Sequence, residues 1–175
     1  MSNFGPAALT AQEAPGLPWL NTQPATGDLP DINVWLALAV QEHPHHTLAH
    51  RYWADEVAPL AADGQAHAWF CRTTMLGLVR LLCQPKAVGS GALDLAGAWR
   101  LYQSWRAQSL IGLLPDFSRV DGEIDRLLKS AQPSARLWTD TYLAALAYSS
   151  GLRLVTFDRD FERFGLARCR ILALA

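Results

Sequence analysis

The chain has 175 residues, half of them hydrophobic, with 15 Lys and Arg against 16 Asp and Glu and a formal net charge of −1. That length and composition suit one globular domain with a sizeable core, and a near-neutral balance offers no argument for nucleic acid on charge alone. Three scattered cysteines (Cys71, Cys83, Cys169) without CxxC spacing argue against a disulfide frame or a zinc cage.

Residues 1–27 are rich in Pro, Gly, Ala and Thr, show no amphipathic period and read as a flexible extension, so the ordered domain is expected over 28–175. The first basic residue is Arg51, so no positively charged leader precedes the domain and a cytoplasmic protein is expected. The apolar run VWLALAV is too short to span a membrane.

A short strand leads to Asp31, and a helix is expected from about Asn33 to Glu42. HPHH breaks it, and a second helix runs from about His46 to Ala62, stopped by Asp63-Gly64. AHAWFC (66–71) reads as a strand and RTTMLGLVRLL (72–82) as a helix buried on one side. QPKAVGSG is a loop before a helix carrying Trp99, Tyr102 and Trp105. LIGLL (110–114) is a strand ended by Pro115, and SRVDGEIDRLLKS a helix. WTDTYLAALAYSSG (138–151) is a helix with a Gly stop, LRLVTF (152–157) a strand, and CRILALA a closing strand. Strands separated by helices, with few hairpin turns, predict a three-layer α/β/α sandwich around a mainly parallel sheet.

In such sheets the functional crevice lies beyond the carboxyl ends of the strands, and there Asp31 and Asp158 fall. Each acid has an ordinary alternative. Asp31 can cap the helix after it, Asp140 can sit in a first helical turn, and Asp158 can serve as a turn residue. Together the three place like charges at one edge, with no Lys or Arg inside DIN, WTDTYL or VTFD. Like charges that close raise one another's pKa unless a cation neutralises them. All-oxygen ligands select Mg²⁺ or Mn²⁺, and such sites serve phosphate chemistry.

The blocks LPDINVWLALAV, HPHHTLAHRYWA, RTTMLGLVRLL and TDTYLAALAYSSGLRLVTFDRDF resemble a PIN-domain ribonuclease, and more narrowly the VapC toxins of bacterial toxin–antitoxin pairs. The resemblance covers about residues 28–172. It implies a PIN-like fold, a Mg²⁺- or Mn²⁺-dependent endoribonuclease acting on RNA, a homodimer, and a cognate VapB-like antitoxin. It makes Asp31, Asp140 and Asp158 both the catalytic and the metal-binding residues, with Asn33 and Thr156 as polar groups that orient them. The sequence departs from the family in one place: RTTMLGLVRLL carries no acid, where a Glu is common. Thr73 or Thr74 there can reach only a water, and Asp116 and Asp160 are candidate substitutes. One tight metal ion, with a second recruited by RNA phosphate, is therefore expected.

Of the other features, His46 and His50 have the spacing of a helical zinc pair, but no third ligand accompanies them and Pro44 sets His43 out of register. They read as a solvated helix start. Trp53, Trp69, Trp99, Trp105 and Trp138 read mostly as core, although tryptophans can stack on bases. All 15 basic residues follow residue 50 and 13 are Arg, so the surface there permits an RNA partner. Arg72 is the candidate phosphate contact. GSG (89–91) is no nucleotide-binding loop. A metal-dependent phosphatase is a rival reading, weakened because Asn33 stands where a second Asp belongs. A catalytically weakened relative that binds RNA or protein is another, favoured by the missing Glu and opposed by the three retained acids.

Overall fold

In the computed structural model, which describes residues 26–115 and 119–173, five short strands form one parallel sheet. They are β1 (Asp28–Pro30), β2 (Ala68–Phe70), β3 (Ile111–Leu113), β4 (Arg153–Thr156) and β5 (Cys169–Ile171), in the order β3-β2-β1-β4-β5. Every pairing is parallel, as the alternation of strands and helices requires. The chain moves outward from β1 to β2 and β3, then crosses back to lay β4 on the other side of β1, in register Asp28↔Arg153, Leu29↔Leu154 and Pro30↔Val155. The order reverses between β1 and β4, so the crevice at their carboxyl ends is the switch point of the sheet.

Side chains alternate across the strands and divide the core in two. Phe70 and Val155 face a layer built from α1 (Ile32–Ala39), α2 (His46–Tyr52), α3 (Arg72–Leu82) and α5 (Leu95–Arg106). Leu29 and Leu154 face α6 (Val120–Ser130), α7 (Trp138–Ser150) and the 3₁₀ turn Arg159–Phe164. The three-layer sandwich expected from the sequence is the architecture found. On α7, Leu143, Ala144, Ala145, Leu146 and Ala147 are all buried, because small alanines let one helix touch both the sheet and α6. On the opposite face Trp35 stacks on Phe70 at 3.9 Å and meets Trp105 at 5.5 Å.

Boundaries differ from the sequence reading where side chains intervene. Helix α1 stops at Ala39, short of Glu42. Its last carbonyls find partners elsewhere: His46 Nδ1 lies 2.8 Å from the Ala37 oxygen and His50 Nε2 3.3 Å from that of Leu38. The histidine pair thus helps to close a helix C-terminus, where carbonyls lack intrahelical donors. The helix expected over 46–62 changes form along its length, from α2 to a π turn (Trp53–Val57) and a 3₁₀ turn (Ala58–Asp63). Pro59 lacks the N–H that an α-helix needs at that point. The 84–91 loop contains a one-turn helix, α4 (Pro85–Val88). Trp99 and Trp138 are 41% and 55% exposed and so are not core residues.

The extension read over 1–27 falls almost wholly outside the described residues. Thr26 and Gly27, which are described, lie against the domain: the Trp69 indole N–H donates to the Thr26 carbonyl, and Arg153 N–H to that of Gly27. Gly27 has φ +118°, and a Cβ there would stand 2.3 Å from the His67 carbonyl oxygen, so only glycine fits this entry into β1.

Candidate active site

The carboxyl edge of β1 and β4 gathers the acids. Asp31 follows β1 directly, and its backbone N–H donates to the Val155 carbonyl, which extends the β1–β4 ladder by one residue. Its side chain then does what its position before a helix suggests: Oδ1 accepts the Ile32 N–H at 2.6 Å, at the N-cap of α1. Oδ2 accepts the Thr156 hydroxyl at 3.1 Å. Thr156 ends β4, and its oxygen also accepts the N–H of Asp158 at 3.0 Å. One fully buried hydroxyl therefore ties Asp31 to the backbone of Asp158. The Asp158 carboxylate caps the following 3₁₀ turn by accepting the Asp160 N–H at 2.7 Å. Asp140 is in the first turn of α7, half-buried.

Asp31 is 5% exposed and, among the described residues, forms no ion pair. Burial pushes its pKa up to about 6, opposed by the Ile32 and Thr156 hydrogen bonds and assisted by the charges of Asp140 and Asp158. Asp140 is raised as well, first by burial and then by Asp158 and Asp160, while Arg136 and Arg163 act in the opposite sense. The three acids predicted from the sequence thus share one electrostatic field. As placed, no three His, Cys, Asp or Glu side chains among the described residues stand close enough to hold a metal ion. What the acids supply is the donor chemistry of a hard cation: carboxylate oxygens, one set deeply buried, in a negative field that Arg136 and Arg163 offset only in part.

The polar residues named beside them divide. Thr156 is where an orienting group is needed, whereas the Asn33 side chain is exposed on α1. Thr74, offered from sequence as a water ligand, has its hydroxyl committed to the start of α3: it accepts the Cys71 N–H at 3.0 Å and donates to the Cys71 carbonyl at 3.1 Å. Thr73 is half-buried and Arg72 exposed in the same turn. Asp116 lies outside the described residues. Asp160, the other proposed substitute, pairs with Arg136 at 3.2 Å and Arg163 at 3.5 Å. Sequence reading missed these two arginines: Arg163 is only three residues from Asp160, but Arg136 is 24 residues from it and meets it only through the fold.

Asp158 is exposed and Asp140 and Asp160 are half-buried, whereas Asp31 is buried. A pocket of about 120 Å³ lined by Trp35, Leu38, Trp53 and Trp105 contains none of them.

Comparison with known proteins bears on the fold and the family. A family model described as PIN domain matches residues 29–166. The chain is 37% identical over 149 residues to Ribonuclease VapC41 of Mycobacterium tuberculosis, covering 82% of this chain and 97% of that one. It is 35% identical over 133 residues to Ribonuclease VapC38 of the same organism, covering 73% and 82%. Among solved structures, VapBC2 from Rickettsia felis bound to a DNA fragment from their promoter matches 82% of this chain and 96% of its own. The TM-score is 0.56 at 12% identity, a likeness of fold.

Proposed function

Since this chain belongs to the PIN-domain family, we propose that it is a VapC-type ribonuclease toxin, neutralised by a VapB-like antitoxin, and that Asp31, Asp140 and Asp158 form its cutting centre. A single observation carries the assignment of the centre: Asp31 is buried beside two like charges and, among the described residues, has no cation of its own. A buried carboxylate in that position is costly unless a positive ligand arrives. Asp31, Asp140 and Asp158 would hold Mg²⁺ or Mn²⁺. When bound, that ion supplies Lewis acidity at the phosphate and an activated water for in-line displacement, leaving a 3′-hydroxyl and a 5′-phosphate.

The chain's own residues set up this chemistry. Asp31 is held at both oxygens, by Ile32 N–H and Thr156 hydroxyl, so its carboxylate has one orientation before any ligand binds. Thr156 and the 3₁₀ turn it leads into keep Asp158 beside it. Asp140 enters from the opposite layer on the first turn of α7. Because α3 brings no acid and its Thr74 is occupied, these acids would hold one metal ion tightly and a second only with the help of RNA phosphate. The protein acts in the cytoplasm as a homodimer, and no helix among the described residues is long and apolar enough to cross a membrane.

The test is cleavage of total RNA by the purified protein with Mg²⁺, Mn²⁺ or EDTA, beside Asp31→Asn, Asp140→Asn and Asp158→Asn. Discrete cuts that need metal are expected, reduced about a thousandfold by Asp31→Asn, which corresponds to roughly 4 kcal/mol of transition-state stabilisation. A variant that cuts like wild type removes its residue from the centre. No cleavage with any metal while RNA binding persists would favour the binding relative over the enzyme.

A further inference from the structure

The same acids that gather a cation repel the substrate. RNA is a polyanion, and at this edge it meets Asp31, Asp140, Asp158 and Asp160. Something must hold the backbone there, and the fold supplies two guanidiniums. Arg136 comes from the 3₁₀ turn Ala135–Leu137, which leads into α7, and Arg163 from the 3₁₀ turn Arg159–Phe164, which follows β4. These are the two segments that also carry Asp140 and Asp158. The arginines converge on opposite oxygens of one carboxylate, Arg136 on Asp160 Oδ2 at 3.2 Å and Arg163 on Oδ1 at 3.5 Å.

Stability does not explain this arrangement. Arg136 is 74% exposed and Arg163 38%, and pairs so open to water contribute about 0–1 kcal/mol. Two arginines on one carboxylate leave a net positive charge, and each guanidinium has five N–H donors of which Asp160 takes few. The guanidiniums keep most of their donors free of Asp160 at the rim of the acidic crevice, where planar, charged N–H groups suit phosphate oxygens.

Resting on the ribonuclease reading above, we propose that Arg136 and Arg163, tethered by Asp160, bind a backbone phosphate of the RNA next to the one that is cut. They are positioning residues: they anchor the strand so that the neighbouring phosphate lies over Asp31, Asp140 and Asp158. Asp160 accordingly serves as their tether and adds no fourth acid to the metal centre.

Binding is measured with Asp31→Asn protein, which holds RNA without cutting it, using a fluorescein-labelled single-stranded oligoribonucleotide in Mg²⁺ over a range of KCl. Adding Arg136→Ala and Arg163→Ala is expected to weaken binding about tenfold and to reduce the salt slope by roughly 0.7, the value for one phosphate on a single strand. Arg100→Ala, on α5 across the sheet, serves as the control and stays within about twofold, as a charge remote from the strand should. Asp160→Asn separates recognition from architecture: it breaks the ion pairs but keeps both cations, so the salt slope remains. In otherwise wild-type protein the double variant raises KM with little change in kcat, and Arg→Lys at both positions restores part of the affinity. An unchanged affinity and slope in the double variant would overturn the proposal, as would an Asp160→Asn protein that behaves like it, or Asp31→Asn protein that binds no RNA. If wild-type protein cuts nothing but the arginines still govern RNA affinity, the ribonuclease reading fails while the phosphate contact of Arg136 and Arg163 stands, without its placement beside a cut.

Discussion

Asp28 and Asp31 bracket the same strand, three residues apart, and each is 5% exposed. At the amino end of β1, Asp28 is fully answered. Arg153 donates to both of its oxygens, each at 2.7 Å, and the Tyr52 hydroxyl adds a third bond at 2.7 Å. Glu56 holds the same Arg153 at 2.9 Å and reaches Arg170 at 3.4 Å. These neighbours raise the pKa of Arg153, and burial beside Asp28 raises that of Tyr52, so both keep their protons. At the carboxyl end, Asp31 has two neutral donors and two acidic neighbours. Equal burial with different partners separates a carboxylate whose charge the fold pairs from one that meets only neutral donors and like charges.

The largest effect should come from breaking the answered end. Arg153→Met leaves Asp28 buried without its cation, and a loss of about 3–5 kcal/mol is expected in urea unfolding. A loss below about 1 kcal/mol would mean that water reaches Asp28 and the contrast is overstated.

Next is Asp31 itself. Its folded pKa, about 6, lies above the ordinary 3.8, so the folded state binds more protons between those values. In EDTA, stability should therefore fall as pH rises from about 4 to 6, by roughly 3 kcal/mol, and stay low above that. Asp31→Asn should flatten the profile and be the more stable protein at pH 8. Mg²⁺ should restore part of the wild-type loss by binding the folded form, which the shift of the urea midpoint with metal concentration measures.

A smaller effect, about 1–2 kcal/mol, is expected for Thr156→Val, which removes the hydroxyl that donates to Asp31 and accepts from Asp158. With one stabilising donor gone, the pH window of Asp31 should move upward, and RNA cleavage should fall at fixed Mg²⁺. Glu56→Gln should cost least, within about 1 kcal/mol, since Glu56 is 26% exposed and Arg153 keeps Asp28. A large loss there would make the whole network, and not the Asp28–Arg153 pair, the unit that answers the buried charge.

Legibility from sequence followed the range of the interaction. The strands ending at Asp31 and Asp158 could be read because short apolar runs are local signals, as could the helix carrying Asp140. The pairs that give the two aspartates their different characters could not. Asp28–Arg153 and Asp31–Thr156 each join residues 125 apart in the chain. DLPDIN presents its two acids alike, and no local pattern says which one will meet an arginine. The end of α1 was misplaced for a related reason: the side chains over its last turn come from the next helix, at His46 and His50. Pro59 was visible, yet its conversion of a helix into π and 3₁₀ turns depends on how the chain continues to pack.

The sequence by itself determined the alternation of strands and helices, hence a parallel sheet, and the three acids at its carboxyl edge, because strand length, turn residues and hydrophobic period are properties of neighbouring residues. Only the tertiary structure decided that β4 lies beside β1, that Thr156 links Asp31 to Asp158, that Arg153 answers Asp28, and that Arg136 and Arg163 meet on Asp160. Asp28–Arg153, Asp31–Thr156 and Arg136–Asp160 are long-range encounters, set by which strand fills which edge of the sheet, whereas Arg163–Asp160 and Asp158–Thr156 are local pairs that the fold carries to the same edge. The electrostatics of a buried carboxylate depend on what the fold places within a few ångströms of it.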